Sequence, residues 1–199
     1  MLTYLIKISR GKKKMSFVSR IPAHEGSLGA TLKPYPEIAS SVSIMTEYVM
    51  RSTDVQFTLA QRELIATYVS DLNSCTFAAR THQAAAETLG IKADLFPVLI
   101  EDIDSAELED KLKPVFKYVK KLTLSPTQMT QADADAIFNA GWDEKSFHFA
   151  IMICAMFNMY NRILEGYGIK NTPEFWLKAG QGIAESGYMH VGKHAQDQK

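Results

Sequence analysis

The sequence predicts an all-α protein, a helical bundle in a single domain. Apolar residues recur every three or four positions in several segments, and residues that commonly cap helix starts precede these segments. No segment shows the alternation of apolar and polar residues that is typical of a half-buried strand. The linkers between the periodic segments are short, as in helical bundles. The chain has 199 residues, enough for one domain with a substantial core.

The first part of the chain is interpreted as a lead-in to the bundle. Residues 1–15 are expected to form a disordered or frayed extension, and Met15 is an alternative start. Their apolar residues precede the basic ones, which is the reverse of a secretory signal. The domain itself is expected to span 16–199, and five glycines and prolines between residues 16 and 36 indicate an extended start.

The first three helices have clear boundaries in the sequence. Glu37–Arg51 has apolar residues at helical spacing. Thr58 begins the next helix, and Gln61 three residues later has the form of a capping box. After a turn at 71–74, capped by Asn73 or Ser74, a third helix is predicted from about Cys75 to Leu89, before Gly90.

The rest of the chain also predicts helices. A short helix or turn is possible at 95–101. The predicted longer helices are Ala106–Leu122 with a kink at Pro114, Thr130–Asn139, Glu144–Glu165 capped by Asp143, and roughly 173–186 beginning at Pro173.

Composition excludes several classes of protein. The chain carries 22 basic and 22 acidic residues, and zero net charge argues against a dedicated nucleic-acid surface. The longest apolar run, Phe147–Phe157, is about half the length of a membrane-spanning helix. Two cysteines do not make a disulfide scaffold, so a cytoplasmic location is expected. The five histidines show no zinc-like spacing, and no cofactor or metal is expected.

The segment from Glu63 to His82 is the candidate functional site. Cys75 is expected in the first turn of its helix, where the helix dipole favours a thiolate. His82 lies on the same face two turns later, about 10 Å along the axis, so direct contact with the thiol is not expected. Glu63 can fold back toward this face from the preceding helix. A thiol, an imidazole and a carboxylate together suit redox or acid–base chemistry.

The same segment carries a family resemblance. A Glu followed by C-x-x-C-x-x-x-H across a helix–turn–helix is matched here at Glu63, Cys75 and His82. A second matching block, from V-K-K-L-T-L-S-P to F-N-M-Y-N-R, lies within Val119–Arg162. The chain resembles the alkylhydroperoxidase D and carboxymuconolactone decarboxylase superfamily, in particular its peroxidase-related branch, over roughly residues 20–170. It departs from the motif at Ala78, where the family has its second cysteine.

The resemblance implies an oligomeric antioxidant enzyme that reduces organic hydroperoxides. Cys75 would act as the thiol, Glu63 and His82 would move its proton, and an external thiol would be the reductant. Peroxidase activity is expected to be weak, because the cysteine that a histidine one turn away could deprotonate is replaced by Ala78. Cys154 could be a resolving thiol only if its helix lies alongside Cys75.

Two other functions remain open from the sequence. The superfamily includes decarboxylases of lactone acids, and Glu63 with His82 could serve such acid–base chemistry without a thiol. Alternatively, the chain is a non-catalytic oligomer in which Cys75 is a small buried apolar residue. Asn158, Asn161 and Arg162 on the long helix are interpreted as a structural polar network.

Overall fold

A computed structural model describes residues 16–21 and 26–189 of the chain. The extension expected at 1–15 lies outside these residues, as do three of the five histidines, His24, His190 and His194. The predicted fold class is confirmed, because the described part of the chain contains nine α-helices and no strand. Within that same part, no helix combines the length and the hydropathy needed to cross a bilayer.

The helices follow one another through short linkers. In chain order they are α1 (Leu28–Leu32), α2 (Pro36–Arg51), α3 (Leu59–Leu72), α4 (Thr76–Thr88), α5 (Leu95–Glu101), α6 (Leu112–Leu124), α7 (Gln131–Asn139), α8 (Glu144–Gly166) and α9 (Pro173–Ser186), with a 3₁₀ turn at Pro126–Gln128.

Helix α3 is the centre of the bundle. All ten residues from 61 to 70 are buried, although they include polar and charged side chains. The predicted capping box is present, because Gln61 N–H donates to the Thr58 hydroxyl and Thr58 N–H donates to the Gln61 side chain. Helices α4, α6 and α8 pack around α3. Polar groups of α3 must therefore find partners inside the protein.

Four expectations from the sequence differ from the structure. Cys75, rather than Asn73 or Ser74, is the N-cap of α4, because Ser74 takes a left-handed φ of 55° that completes the turn. The helix predicted from Ala106 begins only at Leu112. Pro114 therefore lies in the first turn of α6, where its missing N–H breaks no helical bond, and it does not kink a helix. The lead-in contains α1, which was not predicted.

Helix α9 crosses α4 at very close range. A Cβ atom at Gly180 would lie 2.4 Å from the Thr81 carbonyl oxygen and 2.8 Å from the Ala85 backbone nitrogen. Both neighbours are backbone atoms of α4, so they cannot move aside as a flexible side chain could. The absence of a side chain at this position therefore sets the distance between the two helices.

Substitution of Gly180 by alanine is expected to destabilise the fold by about 1–3 kcal/mol, because the new methyl group forces the helices apart. Gly182 on the same helix has open space around it. Gly182→Ala is expected to stabilise the protein by about 0.5–1 kcal/mol through helix propensity. Urea unfolding followed by circular dichroism measures both, and equal effects would contradict the close-contact explanation.

Candidate functional site

Glu63 places a carboxylate in the interior of the bundle, with 1% of the residue exposed. Its Oε2 atom lies 2.8 Å from His82 Nδ1 on α4. Its Oε1 atom accepts a hydrogen bond of 2.6 Å from the Tyr188 hydroxyl. Both oxygens are thus engaged, and the carboxylate is held at a fixed position between two elements of the fold.

His82 is fixed through one side of its ring. Because Nδ1 faces the Glu63 carboxylate, the geometry assigns the ring proton to Nδ1 and leaves the lone pair of the neutral ring on Nε2. The rings of His82 and Phe157 pack edge to face, with their centroids 4.6 Å apart. No described residue forms a hydrogen bond with Nε2, which is therefore the free proton acceptor of the site.

Tyr188 is a site residue that the sequence did not reveal. It follows α9, after Gly187 turns the chain with a φ of 72°. The backbone N–H of Tyr188 donates to Glu47 Oε2 at 2.6 Å. Burial and the neighbouring Glu63 raise the pKa of the Tyr188 hydroxyl well above its usual value, so this group acts as a hydrogen-bond donor. The only local sequence signal is the Gly-Tyr pair after an amphipathic helix.

A cavity of about 630 Å³ lies beside this cluster. Residues from α1, α2, α4, α8 and α9 line it, and most of the lining is apolar. His82 and Ala78 from α4 both form part of its wall. Among the described lining residues only Lys33, which is exposed, carries a permanent charge. The cavity has the size and character of a site for a small organic molecule.

Cys75 does not line this cavity. It is fully buried in a small apolar cluster with Leu164 and Ile169, which is distinct from the main apolar core. Burial, with a smaller contribution from Glu165, raises the pKa of the Cys75 thiol to about 12, and the backbone N–H of Ala78 offsets this only in part. The expectation that the helix start would favour the thiolate is therefore wrong, since desolvation outweighs the helix dipole.

Cys75 is therefore expected to resist alkylation in the folded protein. Iodoacetamide at neutral pH should modify an exposed thiol introduced by Ser41→Cys on α2 at least tenfold faster than Cys75, because alkylation requires the thiolate. Peptide mass spectrometry with time measures each site. Comparable rates in the folded state would contradict the burial of this thiol.

The raised pKa also predicts a dependence of stability on pH. The folded-state value of about 12 exceeds the ordinary value of 9.0, so the buried thiol contributes stability that is present below pH 9. This contribution is lost as the pH rises toward 12, at about 1.4 kcal/mol per pH unit. Cys75→Ala should lack this part of the alkaline decline in the free energy of unfolding.

The other thiol lies elsewhere in the core. Cys154 is buried in the main apolar cluster, next to the Thr123 hydroxyl at 3.3 Å. Both cysteines are free. The predicted structural network is present around it, because Asn158 Nδ2 donates to Thr123 Oγ1 and Arg162 donates to Asn158 Oδ1. Asn161 accepts a hydrogen bond from Ser70 on α3.

No grouping of three or more potential metal ligands occurs among residues 16–21 and 26–189. His148, on α8, is exposed and lies outside the cavity lining. Of the three predicted site residues, the structure thus brings Glu63 and His82 together at the cavity. It places Cys75 behind the cavity wall, and Ala78 occupies the wall position one turn from His82.

The fold is similar to that of two solved proteins. One is an uncharacterized peroxidase-related protein with an alkylhydroperoxidase AhpD core from Ralstonia eutropha JMP134, with a TM-score of 0.68, 19% identity, and coverage of 76% of this chain and 79% of that chain. The other is an uncharacterized peroxidase-related protein from Silicibacter sp. TM1040, with a TM-score of 0.66, 19% identity, and coverage of 85% and 97%. No family model and no curated protein matches the sequence. The predicted resemblance is confirmed at the level of the fold.

Proposed function

With the fold of peroxidase-related alkylhydroperoxidase D-like proteins as the premise, we propose that this chain is an acid–base enzyme acting on a small organic molecule in the cavity. His82 carries the proton, and Glu63 with Tyr188 holds the imidazole in place. The observation that carries the proposal is that His82 lines the cavity while Cys75 does not. The residues on the cavity wall suit proton transfer better than thiol chemistry.

The proton moves through one atom of the chain. Nε2 of neutral His82 accepts a proton from the bound molecule, and the ring becomes an imidazolium whose Nδ1–H remains bonded to Glu63. The carboxylate stabilises this positive charge inside the protein, where an unpaired imidazolium would be costly. The same Nε2–H then returns the proton to the molecule. Isomerisation of a small carbonyl compound requires such a step.

Apolar surroundings strengthen this arrangement. Phe157 packs against the ring of His82, and the buried Tyr188 hydroxyl donates to the second oxygen of the Glu63 carboxylate. Charge interactions are larger where water is excluded, and groups that are already positioned need no reorganisation when charge develops. General acid–base catalysis by a positioned group contributes about 10²–10⁴-fold.

Exchange of carbon-bound hydrogen provides the test. A panel of small ketones in D₂O, followed by NMR, is expected to gain deuterium in the presence of the protein. His82→Gln should reduce the catalysed exchange at least 100-fold, because glutamine cannot accept a proton at this position. His148→Gln, at an exposed position on α8, is the matched control and should leave the rate unchanged. Exchange that is insensitive to His82→Gln, or that requires Cys75, would refute the proposal.

A second candidate is reduction of an organic hydroperoxide by Cys75. The position of Cys75 at the start of α4, with the Ala78 N–H next to the sulfur, and the names of the two similar structures favour it. The thiolate would attack the O–O bond, an alcohol would leave, and an external thiol would reduce the sulfenic acid that forms. This candidate requires that Cys75→Ser abolish consumption of cumene hydroperoxide with dithiothreitol as reductant.

A further inference from the structure

Two residues that line the cavity carry hydroxyl groups with no partner among the described residues. They are Ser43 Oγ on α2 and Thr81 Oγ1 on α4. Both residues line the cavity, and only 2% of Ser43 and 4% of Thr81 is exposed. Buried polar groups in folded proteins are nearly always hydrogen-bonded, so an unpartnered pair within one cavity requires an explanation.

Five other helical hydroxyls behave differently, although Ser146 on α8, outside the cavity lining, also lacks a partner among the described residues. Each of the following donates to the carbonyl oxygen four residues earlier in its own helix: Ser41, Thr46, Thr67, Ser70 and Thr88. Ser43 and Thr81 do not form this common bond. The hydrogen-bonding capacity of both hydroxyls is therefore unused, although both residues line the cavity.

The rest of the lining restricts the chemistry of that molecule. Aromatic rings of Phe77, Phe157 and Phe175 face the cavity and suit a flat apolar body. The described lining contains no arginine, aspartate or glutamate, and its single lysine, Lys33, is exposed. A charged group in the interior would lose its hydration without gaining a partner. Neutral oxygen atoms, by contrast, match the two hydroxyls.

We propose that the cavity binds an uncharged, ring-sized molecule with two oxygen functions, a carbonyl or a hydroxyl at each of two points, one bound by Ser43 and the other by Thr81. This inference rests on the proposed function in that it treats the cavity as the reaction chamber. Ser43 belongs to α2 and Thr81 to α4, so the two contacts fix the orientation of the ring from two sides. Thr81 and His82 both line the cavity from α4, whereas Ser43 lines it from α2, so the oxygen at Thr81 belongs to the end of the molecule nearer His82.

Binding of three compounds of similar shape tests the inference without any need for turnover. The compounds are para-hydroxyacetophenone, which has two neutral oxygen functions, para-hydroxybenzoate, in which a carboxylate replaces the acetyl group, and para-ethyltoluene, which has neither oxygen. Isothermal titration calorimetry with the full-length protein should give the tightest dissociation constant for the first compound, at least tenfold below those of the other two. Equal or tighter binding of the benzoate, or no saturable binding of any compound, would overturn the inference.

Four variants assign the contacts. Ser43→Ala and Thr81→Val should each weaken the binding of para-hydroxyacetophenone about five- to tenfold, as expected for the loss of one hydrogen bond. Ser41→Ala on α2 and Thr88→Val on α4 are matched controls, because their hydroxyls are bonded within their helices. They should leave the dissociation constant unchanged. Unchanged binding in both cavity variants would overturn the inference.

The melting temperature of the free protein provides an independent result. Removal of a hydroxyl that has no partner should leave the melting temperature of Ser43→Ala and Thr81→Val unchanged or higher. A clear decrease in both would mean that the hydroxyls have structural partners, and the inference would fail. If binding follows the expected order and no deuterium exchange occurs, the cavity binds its ligand as inferred and the proposed catalysis is wrong.

Discussion

Replacement of Glu63 by alanine is expected to lower the free energy of unfolding by about 3–5 kcal/mol. The change leaves His82 Nδ1 and the Tyr188 hydroxyl without their shared acceptor in the interior. It also leaves a void in α3, where the neighbouring residues are buried. Urea unfolding measures the loss, and Glu107→Ala at an exposed position is the control, with an expected change within about 0.5 kcal/mol.

Glu63→Gln separates the structural role from the chemical one. Glutamine keeps the shape of the side chain but has one oxygen, so it cannot accept from both His82 and Tyr188. With its NH₂ group toward Nδ1, the lone pair of the imidazole would move to Nδ1 and the proton to Nε2. We expect a smaller stability loss than for alanine, about 1–2 kcal/mol, but a decrease of at least 100-fold in proton transfer at Nε2. Full activity in Glu63→Gln would contradict the proposed role of His82.

Substitution of Ala78 by cysteine is expected to create hydroperoxide reduction at the cavity. Position 78 lies in the cavity wall, one helical turn from His82 and on the same face. His82 Nε2 could accept the proton of a thiol there, which the buried Cys75 does not offer. We expect consumption of cumene hydroperoxide, with dithiothreitol as reductant, to rise at least tenfold over the parent protein. Trapping with dimedone should locate the sulfenic acid at residue 78.

Ala79→Cys is the matched control for this experiment. Ala79 is fully buried on the same helix and is not part of the cavity wall, so its thiol should remain unreactive. Combination of Ala78→Cys with His82→Gln should remove most of the gain, because the thiol then loses its base. A gain of equal size in Ala79→Cys would show that position on the cavity wall is unimportant.

The sequence predicted the helices well where local chemistry determines them. At a helix start, a capping side chain can accept a hydrogen bond from a free backbone N–H, and a proline has no N–H to leave free. Both effects are local, and they apply to Thr58 with Gln61, to Asp143 before α8 and to Pro173 at the start of α9. Pro114 was misjudged because the same residue can break a helix or lie in its first turn. Only the surrounding structure determines which of the two occurs.

The site was predictable in part for a similar reason. Glu63 and His82 are on consecutive helices joined by a tight turn, so their proximity follows from a local hairpin. Tyr188 is 125 residues from Glu63 along the chain, and no local pattern reports such a contact. The burial of Cys75 likewise depends on Leu164 and Ile169, which come from distant segments. The helix-start argument considered only the element that carries the thiol.

The burial of α3 on all sides has a consequence for the motions of the site. Segments with dense packing exchange their amide hydrogens only through large openings of the fold, whereas segments near chain turns exchange through local ones. Glu63 belongs to the first kind, and Tyr188, in the turn after α9, belongs to the second. We therefore expect the hydrogen bond between Glu63 and His82 to open only when the fold opens on a large scale. The hydrogen bond from Tyr188 to Glu63 should break through local opening of the turn after α9.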